Sequence, residues 1–137
     1  MLAIITHTKT PCLHITLDNG IHHFVFSESS PAAVDAWIDA LETLYRSSAS
    51  DTVLRMLVDS READVQPLHY VTRRGREVND RYPDRPETRT AFLYRDNFSA
   101  SLARTCIVML SRIGRDSVQF FPGAEEEATA LAWLLKD

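Results

Sequence analysis

The apolar positions of this chain fall in short blocks whose spacing alternates between strand-like and helix-like. The block Val53, Leu54, Met56, Leu57 and Val58, inside residues 52–61, has apolar side chains on both parities. A half-exposed strand would alternate, so this one is predicted to be covered on both faces, as a central parallel strand is. Upstream, residues 12–18 and 21–27 are β-like runs separated by Asn19 and Gly20, a dipeptide that tolerates the positive φ of a tight hairpin turn. A two-residue turn would set Leu17 against His22, Ile15 against Phe24 and Leu13 against Phe26. Cys12, His14, Thr16, His23 and Val25 would then share the other face. Residues 1–7 read as a further edge strand, followed by a polar loop.

Helix-like blocks fill the gaps. Ser30 can cap an orphan N–H and Pro31 fits the first helical position, and from there Val34, Trp37, Leu41 and Leu44 recur at helical spacing. Asp35, Asp39, Glu42 and Arg46 line the opposite side. Pro67 opens a second helix with the stripe Leu68, Val71, Gly75, Val78 and Tyr82, in which Gly75 weakens the helix by about 1 kcal/mol relative to Ala. Pro83 and Pro86 end it, and residues 90–94 return as a strand. Asp96 or Asn97 caps a third helix with Leu102, Cys106, Met109 and Ile113 on its stripe, ended by Gly114. A strand at 118–121 and a helix at 124–135 follow, with Glu125, Glu126 and Glu127 in the first turn where the helix dipole favours negative charge. The pattern from Ile21 onward is four βα turns. It predicts an α/β fold with a mainly parallel sheet of about four to five strands, to which the N-terminal hairpin adds an antiparallel strand.

Composition narrows the function classes. With 137 residues, 45% hydrophobic and 25% charged, the chain is sized for a single domain, residues 1–137, with a substantial core. The formal net charge of -4, from 15 basic and 19 acidic side chains, provides no global attraction to nucleic acid or an anionic membrane. Arg73, Arg74, Arg76, Arg81, Arg85 and Arg89 are interrupted by Glu77, Asp80, Asp84 and Glu87, the mixture of a solvated helix face, so no nucleic-acid partner is expected. The apolar start lacks a basic lead and soon meets His7 and Lys9. Neither a signal peptide nor a membrane span is expected, and the expected location is the cytoplasm. Cys12 and Cys106 are too far apart for a C-x-x-C motif and read as buried thiols.

Candidate chemistry is sparse. Cys12, His14 and His23 share a face in the two-residue-turn register, but no fourth ligand accompanies them, so no metal is expected. Four scattered glycines form no phosphate-cradling loop, and no serine sits in a G-x-S-x-G elbow. With no base and nucleophile pair at useful spacing, neither an enzyme nor a cofactor is expected. Trp37 and Trp133 sit on helical stripes and read as core. The polar residues that matter are those at the carboxyl ends of the strands, because parallel α/β sheets meet ligands and partners there. These are Glu28, Ser29, Asp59, Ser60, Arg61, Asp96 and Asn97. Asp59 and Arg61 can equally pair with each other as a structural loop clamp.

Leu57-Val58-Asp59-Ser60-Arg61 after the buried strand, Leu102-Ala103-Arg104 in a helix after Asp96, and Phe121 leading to Ala130-x-x-Trp133-Leu134 resemble the bacterial STAS-like proteins. These are relatives of the anti-sigma-factor antagonists. The likeness runs over residues 52–135, while 21–47 fits in pattern. It implies a superhelix of four βα turns and a non-enzymatic, regulatory, protein-binding role, with a protein partner expected and a homodimer left open. The alternative is a domain that binds a small apolar ligand or lipid between sheet and helices, as the related lipid carriers do. The family's phosphorylated serine follows an Asp after the central strand. Here that stretch is Asp64-Val65-Gln66-Pro67-Leu68, without a hydroxyl, and Ser60 comes too early to replace it. Phosphopeptide mapping of protein from its own cells is therefore expected to find no phosphate between residues 60 and 68; substantial phosphate on Ser60 would restore the switch.

Overall fold

The computed structural model describes residues 3–8, 11–63, 66–95 and 116–136. Six strands form one sheet in sequential order: β1 (Ala3–Thr8), β2 (Cys12–Leu17), β3 (His22–Phe26), β4 (Val53–Asp59), β5 (Glu87–Tyr94) and β6 (Ser117–Pro122). The first two pairings are antiparallel and the remaining three parallel. Among the described residues the helices are α1 (Pro31–Ser47), α2 (Leu68–Arg81) and α3 (Glu127–Leu134), the last preceded by a 3-10 turn over Ala124–Glu126. The mainly parallel α/β architecture expected from the periodicity is present, and the sheet reaches six strands because Ala3–Thr8 pairs with β2. The third helix expected after Asp96 lies outside the described residues.

Strand β4 has its apolar residues buried on both sides. Leu54, Met56 and Val58 join Phe24, Phe26 and the α1 residues Val34, Ile38 and Leu41 in one core cluster. Leu57 faces the other way, with Ala91, Leu93, Phe121 and the α3 residues Ala130 and Leu134. The helix α1 begins as its sequence dictates: the Ala33 N–H donates to Ser30 Oγ at 3.1 Å, with Pro31 in the first turn. Trp37 and Trp133 are partly buried against opposite clusters, Trp37 edge-on to Phe26 and Phe92, Trp133 against Phe121.

Two expectations are corrected. The strand after α2 starts at Glu87 rather than Thr90, because every residue of β4 from Val53 finds a parallel partner there. The hairpin turn spans three residues, not two. The Leu17 N–H donates to the Ile21 carbonyl at 2.9 Å and the Gly20 N–H to the Leu17 carbonyl at 3.0 Å, with Gly20 at φ +87°. One additional loop residue moves the register by one and flips every side chain relative to its partner. His14 thus pairs with Phe24, Cys12 with Phe26 and Thr16 with His22. Cys12 and His14 now face α1, whereas His23 points to the α3 side, so the three do not assemble. His14 instead stacks on Phe24, with ring centroids 4.4 Å apart, and its Nε2 lies 3.1 Å from His22 Nδ1.

Gly20→Ala forces a side chain into the left-handed region and is expected to destabilise the domain by about 1–2 kcal/mol. Urea denaturation checks it: an unchanged midpoint would mean that the turn does not require the positive φ.

Candidate functional site

The parallel strands β3 to β6 deliver their following loops to one edge of the sheet. Asp59 is the last residue of β4 and shares the parity of Leu57, so its side chain lies on the α3 face beneath the start of that helix. It is 5% exposed, and a carboxylate at such a depth needs partners. Arg61 supplies them within two residues. Its Nε donates to Asp59 Oδ1 at 2.9 Å, its Nη2 to Oδ2 at 2.7 Å and its backbone N–H to Oδ1 at 3.1 Å. This is a two-pronged guanidinium–carboxylate pair closed by a main-chain bond. Arg61 Nη2 also donates to Oε1 of Glu127, the first residue of α3, at 2.6 Å.

From β3, His23 Nε2 approaches Asp59 Oδ2 at 3.5 Å, an electrostatic neighbour at the outer limit of hydrogen bonding. Burial alone would raise the Asp59 carboxyl. The His23 ring and the Arg61 donors outweigh that and hold it well below the usual carboxylate range. Bonds to Asp59 push the Arg61 guanidinium further up, against a smaller opposing effect of desolvation, so the pair stays charged.

A second tie holds the neighbouring loops. Gln66, buried just before α2, donates from Nε2 to the Glu28 carbonyl at 2.8 Å and accepts the Ser30 N–H at Oε1 at 3.2 Å. Ser30 Oγ donates to Glu28 Oε2 at 2.6 Å. The loop after β3 is thereby fastened to the start of α2. Ser60 prolongs the ladder, its N–H donating to the Leu93 carbonyl at 2.8 Å.

Of the residues singled out at this edge, Asp59 and Arg61 meet as the loop clamp, Glu28 and Ser29 are exposed, Ser60 is half-buried, and Asp96 and Asn97 lie outside the described residues. Sequence reasoning named Gln66, His23 and Glu127 but did not place them at this edge. Gln66 carried a weak signal, being a polar residue beside the helix-opening Pro67. Glu127 carried none, since it stands 66 residues from Arg61.

Among the described residues no group of three or more His, Cys, Asp or Glu side chains is arranged to hold a metal ion, and no helix is long and apolar enough to cross a membrane. A cleft of about 100 Å³ lies between the α1/α2 layer and the sheet, lined by Trp37, Met56, Val71 and Phe92 among others.

The Asp59 carboxyl is depressed in the folded state. Its contribution to stability is therefore complete above the unfolded value of about 3.9 and lost as pH falls toward the folded one. Asp59→Asn is expected to cost about 1.5–3 kcal/mol at pH 7, because it removes the charge from the two-pronged pair and leaves Arg61 with Glu127 as its carboxylate partner. Its stability should fall less steeply than that of the wild type below about pH 4. Urea denaturation across that range tests both, and parallel pH profiles would show that Asp59 is not the titrating group.

No protein-family model and no curated protein sequence matches the chain. Among solved structures it is similar to an uncharacterised protein of the DUF3478 family from Shewanella loihica PV-4, described as having a SpoIIAA-like fold. The two share 16% identity, with a TM-score of 0.56 over 96% of this chain and 92% of that one. The STAS-like resemblance thus holds at the level of fold, and the domain carries a SpoIIAA-like α/β architecture.

Proposed function

We propose that this domain is a non-enzymatic interaction module that binds a protein partner through the carboxyl edge of β3 to β6. The observation that carries the reading is the pre-organisation of that edge. Gln66 fastens the loop after β3 to the start of α2, and Asp59–Arg61–Glu127 fastens the loop after β4 to the start of α3. A surface held in one conformation before contact loses less conformational entropy on binding, which is how a modest interface reaches useful affinity. Glu28, Ser29 and Glu62 are exposed at this edge.

Two further points favour binding over catalysis or lipid transport. The buried carboxylate at this edge is held ionised by Arg61, and its depressed pKa makes it a poor proton acceptor. The cleft on the α1/α2 face, about 100 Å³, is well short of the roughly 300–1,000 Å³ usual for larger ligands. Regulation in this reading comes from the availability of the partner, because Gln66 stands in the loop where the related antagonists carry their phosphorylated serine.

The reading is tested by affinity capture from the protein's own cells, comparing wild type with Glu28→Lys/Glu62→Lys. Both side chains are exposed, and the Glu28 carbonyl that Gln66 uses is untouched. A protein recovered at stoichiometric level by the wild type and lost by the double variant supports recognition at this edge; equal recovery places recognition elsewhere.

A further inference from the structure

The amino ends of β4 and β5 lie at the end of the sheet opposite the partner edge, and two arginines meet there. Arg55 of β4 and Arg89 of β5 are direct neighbours in the parallel register. Each stands two residues before a core position of the α3 face, Leu57 and Ala91, so both side chains rise on that face from strands about 4.8 Å apart. Like charges side by side on neighbouring strands repel, and a fold that keeps them ordinarily compensates them. Among the described residues no carboxylate pairs with either guanidinium. Glu87 shares the strand and parity of Arg89 but is exposed and forms no such pair. What the arginines do bond is the end of α3. Arg55 Nη1 donates to the Leu134 carbonyl at 2.5 Å and to the Lys136 carbonyl at 3.3 Å, and Arg89 Nη1 donates to the same Lys136 carbonyl. The Arg89 guanidinium also covers the Trp133 ring, 4.8 Å from its centroid. A helix carboxyl end offers about half a negative charge against two whole positive ones. Lys136, exposed beside them in the chain, adds a third, so this patch stays positive in a chain whose net charge is -4.

We infer that Arg55 and Arg89 form a binding site for the phosphate group of a small soluble molecule. The donors are present and reachable. Every hydrogen bond of the two guanidiniums comes from Nη1, which leaves Nε and Nη2 of both without a partner. Both residues are half-buried, and none of their nitrogens is among the buried polar atoms that lack a partner, so the unused N–H groups face water. The heads are also fixed in advance. They converge on the Lys136 carbonyl oxygen, and the indole beneath Arg89 sets the plane of its fork, so little side-chain freedom is left to lose on binding. Charge selects the ligand. A phosphate monoester carries about 1.5 to 2 negative charges at pH 7, which matches two guanidiniums, and its several oxygens can accept from both forks. A lone carboxylate would leave one of the two positive charges uncompensated. The site shares no residue with the edge formed by Asp59, Arg61 and Gln66, so it stands or falls independently of partner binding there.

Inorganic phosphate and glycerol 3-phosphate are the probes, titrated at pH 7.5 and constant ionic strength into the full chain. Both are expected to shift the Arg55 and Arg89 Nε–H resonances saturably, together with the Trp133 indole N–H, while the Trp37 indole on the opposite face of the sheet stays still. Either order of affinity supports the site: tighter binding of the ester points to an esterified phosphate as the ligand, and tighter binding of inorganic phosphate to the free ion. Arg89→Gln removes one fork and should weaken both probes at least about tenfold, the worth of one charge-assisted hydrogen bond. Arg76→Gln, at an exposed position of α2, should leave affinity unchanged. Should Arg89→Gln fail to fold, Arg89→Lys keeps the charge but loses the planar fork, and binding should still weaken severalfold. The inference is overturned by the absence of a saturable shift in the wild type, by equal shifts with acetate, by equal loss in Arg76→Gln, or by unchanged affinity in a folded Arg89 variant.

Discussion

Burying both faces of β4 forces the rest of the molecule into place. A strand with Leu54, Met56 and Val58 on one side and Leu57 on the other must be covered twice, and α1 with α2 and then α3 provide the two layers. The same double coverage removes water from Asp59 at the strand's end. A desolvated carboxylate is tolerable only when paired, so Arg61 turns back onto it within the loop and reaches on to Glu127. The clamp at the carboxyl edge is thus a consequence of the core, and the exposed residues beside it inherit its rigidity.

Much of this was legible in the residues, and the failures have physical reasons. Ser30-Pro31 fixed the start of α1, and the doubled parity of 53–58 marked the central strand. The hairpin was visible from Asn19-Gly20, but its register was not, because the same dipeptide serves two-residue and three-residue loops. Periodicity could not arbitrate, since both faces of the hairpin are apolar in part: Phe24 and Phe26 lie towards α1, and Leu17 and Ile15 lie towards α3. Within the edge, Asp59 and Arg61 could be paired because they are adjacent. Glu127 could not, because only the tertiary fold brings it near.

The arginine run of α2 and its flanks illustrates how little a charge pattern says before the partners are known. Arg74 bonds Asp35 at 3.1 Å across to α1, Arg81 of α2 pairs with Glu42 of α1, and Arg85, half-buried, pairs with Asp116 at 2.7 Å. Arg89 covers the Trp133 ring and donates to the Lys136 carbonyl, while Arg55 donates to the Leu134 carbonyl at 2.5 Å. These last two place positive charge at the carboxyl end of α3, where the helix dipole and the unpaired carbonyls both favour it. The arginines act mainly as joints between layers.

The contact between Arg61 and Glu127 imposes an order on assembly. The loop after β4 can be synthesised, and β4 paired with β3, while the third member of the clamp does not yet exist. Only when residue 127 has been made and α3 has docked does Arg61 acquire its second carboxylate. A nascent chain therefore presents this edge incomplete throughout elongation, and the loop after β4 acquires its last tie only once the carboxyl-terminal helix has docked.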